Sequence, residues 1–140
     1  MSREKMIAVH NRLDQEVISN GKLDLIDEIV TADFVWHSPP GPDLCGPEAL
    51  KQYMAAARAA FPDTNSTVED RFVEGDRLVV RVVLRGTHRG EFMGIPATGR
   101  QVSFAGISIH RFAGDRIQES WNCLDNLGLL QQLGGIPSPT

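Results

Sequence analysis

Acid–base chemistry is written most plainly near the end of this chain, where Glu119-Ser120-Trp121 is preceded by His110 and followed by Asp125. A positioned carboxylate can remove a proton and later return it, and general acid–base catalysis is worth about 10²–10⁴-fold. An aspartate in water, with a pKa of about 3.9, is a feeble base. Apolar flanks desolvate it and raise that value towards roughly 6–7. The spacing suggests such flanks. If Gly114-Asp115 is a two-residue turn, Ala113 opposes Arg116, His110 opposes Glu119, Ser108 faces Trp121, Gly106 faces Cys123 and Phe104 faces Asp125. Alternation then gathers these residues on one surface, with aromatic walls, two carboxylates and an imidazole. A pocket face needs that combination; a plain core face does not.

Each assignment has a structural rival. Asp125 stands just before a predicted helix and could cap it, although Gly128 offers no capping box. His110 opposite Glu119 could be a cross-strand pair. Trp36-His37 precedes a Pro-rich turn and could line a pocket mouth, or His37 could be a satisfied, partly buried histidine. Arg81 falls opposite Asp70 in the preceding hairpin, which favours an ion pair over a contact with a substrate carboxyl. His88, Phe92 and Met93 lie in an irregular connection that reads as a lid or as a long hairpin link. No HxxxH or HExxH spacing, paired cysteines, GxSxG elbow or phosphate loop is present, so a metal site, a serine nucleophile and a nucleotide cradle lack support.

These side chains need a scaffold. Met6, Val9, His10, Leu13 and Val17 recur at helical spacing over 4–19, and Asn20-Gly21 stops the run. A short helix fits 22–30, and Phe34 to His37 is extended. A third helix begins at Gly46-Pro47 and turns Leu50, Tyr53, Met54, Ala57 and Phe61 inward. From Thr64 the period becomes two, with strands over 65–74, 77–87, 100–112 and 116–125. A last helix covers 126–133, and 136–140 reads as a frayed tail. Helices first and antiparallel strands after predict one α+β domain over 1–140, its curved sheet wrapped around the helices to leave a blind pocket.

Composition narrows the partners. The 140 residues carry a net charge of −4 with dispersed basic residues, which disfavours nucleic acid. No apolar run nears the roughly 20 residues of a membrane helix, and the opening Met1 to Lys5 is unlike a signal peptide, so a cytoplasmic location is expected. Cys45 and Cys123 are expected to be free, mostly buried thiols.

The run from Arg85 to Gly99, RGTHRGEFMGIPATG, resembles the GTHxGEFMGIPATG stretch of the SnoaL-like polyketide cyclases, within the nuclear-transport-factor-like superfamily. Glu119-Ser120-Trp121, Asp125 and the ending from Leu127 to Gly134 are similar to that family's ExW…D…LLxQLG. Val68-Glu69-Asp70 with Glu74-Gly75-Asp76 also fits. The resemblance implies a cone-shaped α+β fold and an aldol ring closure on a polyketide-like or other hydrophobic carbonyl substrate, with no metal or organic cofactor. It implies Asp125 as the acid/base and His110 as its companion. Trp36, His37, Tyr53, Met54, Arg81, His88, Phe92, Phe104, Ser108, Glu119 and Trp121 are the expected substrate-binding residues. A homodimer through the sheet face is expected by analogy. Dehydration or double-bond isomerisation would use the same carboxylate, and a non-catalytic binding or dimerisation module on this fold is the competing reading.

Overall fold

A computed structural model describes residues 1–137, so the end of the expected tail lies outside the described residues. Helix α1 (Arg3–Asn11) starts where the Ser2 hydroxyl accepts from the Lys5 N–H at 3.2 Å, and it runs on as a π-helix over Arg12–Ser19. The expected apolar stripe is buried at Met6, Leu13 and Val17. The run ends under Arg58, whose guanidinium donates to the carbonyls of Ile18 (2.9 Å) and Ser19 (3.3 Å). Gly21 is required there: its φ is +75°, and a Cβ would lie 2.5 Å from Arg58 Nε. A 3₁₀ turn (Leu23–Leu25) and α2 (Ile26–Ile29) replace the single short helix expected over 22–30.

Strand β1 (Val30–His37) and the two-residue β2 (Leu44–Cys45) precede α3 (Pro47–Ala60), which begins at proline as expected. Four long strands follow: β3 (Asn65–Glu74), β4 (Arg77–Thr87), β5 (Gln101–Ala113) and β6 (Arg116–Leu124). Then comes α4 (Asn126–Gln132). They form one six-stranded sheet in the order β2-β1-β6-β5-β4-β3, antiparallel except where β1 lies parallel to β6. The α+β architecture follows the sequence. So does the β3–β4 hairpin, in which Asp70 pairs with Arg81.

The last hairpin departs from the expected register. Ala113 does oppose Arg116 and Phe112 opposes Ile117, but the pairing then shifts, so that Arg111 meets Glu119 and His110 meets Ser120. Gln118 is the extra residue of a β-bulge. Because side chains alternate with period two, one extra residue sends every later side chain of β6 to the opposite face. Ser120 and Asn122 point inward, 0% and 6% exposed, while Glu119, Trp121 and Cys123 go outward. The physical preference is clear. The regular register would bury the Glu119 carboxylate against His110, whereas the bulge buries a hydroxyl and an amide that find partners.

Two apolar clusters hold the layers together. The larger packs Met6, Leu13, Val17 and Ile26 from the helices onto Phe34, Leu78, Val80 and Ile117 of the sheet. The smaller joins Ala60 and Phe61 to Val102, Leu129 and Leu133, with Phe92 and Ile95 of the irregular connection packed against it. Phe72 and Ile107 remain exposed. Both cysteines are free, but they are exposed, not buried; Cys123 is carried outward by the bulge. Among the described residues no helix is long and apolar enough to cross a membrane.

Candidate active site

The sheet, α1 with its π-helical extension, α3 and α4 enclose a cavity of about 1010 Å³, its open mouth included. Most of its wall is apolar: Leu13, Ile18, Trp36, Met54, Phe61, Val80, Val82, Phe104, Leu124 and Leu129. Inward positions of β5 and β6 add a polar ladder. The Ser108 hydroxyl donates to Asn122 Oδ1 at 2.7 Å, and His110 Nδ1 lies 2.6 Å from Ser120 Oγ. Asn122 is held further by donating to the His37 carbonyl at 2.9 Å. His110 is 2% exposed, and burial lowers its pKa to about 4, so its imidazole is neutral at physiological pH.

A second polar group comes from the first helix. His10 is 3% exposed and lies against His110, ring centroids 5.1 Å apart, with its pKa driven well down by burial first and then by the proximity of His110 and Arg71, which disfavours a second positive charge. One turn on, Asp14 is 1% exposed and lines the same cavity. Its Oδ1 accepts from Ser66 Oγ and its Oδ2 from Gln15 Nε2, both at 2.6 Å. Burial raises its pKa, against the pull of those two hydrogen bonds and of Arg71. The acidic side chain, the two imidazoles and the Ser108–Asn122 pair make a polar lining inside an otherwise greasy hollow. Such a lining can exchange protons with a carbonyl compound and hold its oxygens.

Of the residues expected from the sequence, His110, Trp36, Tyr53, Met54, Phe92, Phe104 and Ser108 line this cavity. Six others do not. Asp125 is exposed at the start of α4, where its Oδ1 accepts from the Gly128 N–H at 2.9 Å. Gly128 favours this cap by leaving room, since a Cβ there would lie 2.2 Å from Asp125 Oδ2. Glu119, Trp121 and His37 form an outer-face network. His37 sits 2.7 Å from Glu119 and 2.8 Å from Asp43 and stacks on Trp121 at 5.6 Å, and Arg111 donates to Glu119 at 2.9 Å. Its hydrogen bonds to Glu119 and Asp43 raise the His37 pKa. Arg81 pairs with Asp70 at 2.7 Å, the ion pair favoured by its position. His88 is fully buried against Phe61, with Nδ1 at 3.0 Å from Thr98 Oγ1.

Residues 8–133 match the family model described as SnoaL-like polyketide cyclase. The chain belongs to the SnoaL-like polyketide cyclase family. It is 31% identical over 131 residues to the aklanonic acid methyl ester cyclase DnrD of Streptomyces peucetius, covering 89% of this chain and 88% of that one. It is 29% identical over 118 residues to the nogalonic acid methyl ester cyclase of Streptomyces nogalater, covering 83% and 88%. Among solved structures, TsrD from Streptomyces laurentii superposes with a TM-score of 0.88 at 25% identity, over 97% of this chain and 99% of its own. Such SnoaL-like relatives support a polyketide cyclase, and the curved sheet closing on N-terminal helices is the family's fold.

Sequence reasoning passed over His10, Asp14 and Asn122. A signal for Asp14 was present: it lies four residues after His10 and three before Val17, a carboxylate inside the apolar stripe of a helix. Uninterrupted alternation from the Gly114 turn would turn Asn122 outward, and the bulge that brings it in is silent in the alternation. For Asp125 the geometry gives a direct expectation. Asp125→Ala removes the α4 cap and should lower unfolding stability by about 1 kcal/mol in urea titration, with Asn retaining most of it.

Proposed function

We propose that this protein closes a ring on a hydrophobic, polyketide-like ester by acid–base chemistry inside the cavity. The observation that carries the reading is an apolar hollow whose inward polar groups include a neutral, oriented imidazole, His110, next to the Ser108–Asn122 pair. Ring closure by aldol addition needs an enolate at one carbon and a polarised ketone at another. With Ser120 Oγ donating to Nδ1, His110 carries its proton on Nε2 and presents it to the ketone oxygen. Apolar walls fold the substrate so that the two carbons meet, and such proximity supplies much of the acceleration. The named cyclases act on methyl esters of this class, which makes those esters the natural probes.

The test is turnover of aklanonic acid methyl ester and nogalonic acid methyl ester by the purified protein, with products separated chromatographically because aldol closure leaves the mass unchanged. Ring-closed product is expected. Val80 is 1% exposed and lines the cavity, so Val80→Phe should fill it and lower kcat/KM by at least about tenfold while the protein still melts cooperatively. Absence of conversion of both esters, or a Val80→Phe variant as active as wild type, sinks the proposal.

A further inference from the structure

We infer that Asp14 is the carboxylate that carries the proton in this ring closure. The inference rests on the cyclisation reading above and names the base that reading requires. Among the described residues that line the cavity, Asp14 is the one acidic side chain. Glu119 and Asp125, the carboxylates singled out from the sequence, face away from it.

The surroundings of Asp14 suit a base more than a strut. A carboxylate that is 1% exposed is costly to ionise unless paired, and no salt bridge to it is formed among the described residues. Two hydrogen bonds, from Ser66 on β3 and Gln15 on its own helix, fix its plane and leave further lone pairs unused. A simple tie between helix and sheet needs only a neutral amide there. The charged and titratable groups around it are His10 on the same helix, His110 on β5 behind His10, and Arg71 on β3, whose guanidinium bonds Asn11. The segment is also π-helical over Arg12–Ser19, a geometry that is rare and recurs at functional sites. His10 adds a second sign of a ligand: its Nδ1 is buried without a partner although the residue lines the cavity.

The chemistry balances without a co-reactant. The ionised Asp14 takes the proton from the carbon between two substrate carbonyls, and the C–H electron pair becomes the enolate. That carbon attacks the ketone carbon, a C–C bond forms, and the C=O π pair moves to oxygen. The alkoxide then takes the proton back from the Asp14 carboxylic acid, directly or through His110. Substrate and product are isomers, and the protein ends as it began.

The experiment compares wild type, Asp14→Asn, Ser66→Ala and Asp125→Asn on the two methyl esters across pH. Asp14→Asn should lose about 100-fold or more in kcat with KM little changed, while Asp125→Asn stays within about threefold of wild type. Ser66→Ala removes a hydrogen bond that favours the ionised carboxylate, so the acid limb of kcat should move to higher pH with the plateau largely kept. A merely structural Asp14 would not move that limb. An active wild type with Asp14→Asn within about threefold of it, or an unmoved limb in Ser66→Ala, overturns the Asp14 role and leaves ring closure standing. Wild type inactive on both esters takes down both. Should Asp14→Asn fail to fold, the Ser66→Ala limb alone decides.

Discussion

His110→Phe should lower kcat for cyclisation by about 100-fold and leave KM within a few-fold of wild type. The ring shape and burial are retained, so the fold of the substrate in the cavity is retained. What disappears is the Nε2–H that the proposed mechanism aims at the oxygen on which charge develops, an interaction stronger in the transition state than in the ground state. Burial holds the His110 pKa at about 4, which means that the donor is imidazole and not imidazolium throughout the working range. The wild-type rate should therefore show no limb near the ordinary histidine value of 6.5 from this residue. Steady-state kinetics on the methyl esters check both statements. A His110→Phe variant with unchanged kcat would reduce the residue to a core filler packed against His10.

The β3–β4 hairpin appears at the residues the alternation indicated because its turn is chemically explicit: Gly75 takes a φ of +60° where a side chain would be strained. The same holds for Gly114 in the last hairpin, where φ is +61°. Beyond that turn the pattern misleads. Ile117-Gln118-Glu119 contains an apolar residue followed by two polar ones, and nothing in the order of letters says which polar residue is extra. The decision is tertiary. Glu119 finds Arg111 and His37 on the outer face, and Gln118 finds Asp33 at 3.1 Å and Arg111 at 2.7 Å, partners supplied by β1 and β5. That single inserted residue explains why Trp121 and Glu119 lie outside while Ser120 and Asn122 lie inside, and why the carboxylate expected at the end of β6 is absent from the cavity. Family motifs pointed to the right family and fold because they record the fold. Side-chain direction depends on register, which motifs do not carry.

The buried histidines also make the folded state sensitive to acid, and the sign follows from their direction of shift. His110 has a folded pKa of about 4 against an ordinary 6.5, so between those values the unfolded chain binds more protons than the folded one. Stability then rises with pH through that window, is fully present above about 6.5, and is lost as pH falls towards 4. For His110 alone the loss at pH 5 is about 2 kcal/mol relative to neutral pH, and His10, lowered well below 6.5 by the same burial, adds to it. Asp14 opposes this. Its raised pKa means that the folded state holds a proton longer than the unfolded chain, so acidification through its own range stabilises. Two basic groups against one acid leave a net loss at mildly acidic pH. Urea unfolding at pH 7.5 and pH 5 should show a clearly lower midpoint at the acid value with a similar slope, and His110→Phe should flatten that difference. An identical midpoint at both pH values would mean that water or a counter-charge reaches the imidazoles, and the neutral state of His110 would be lost with it.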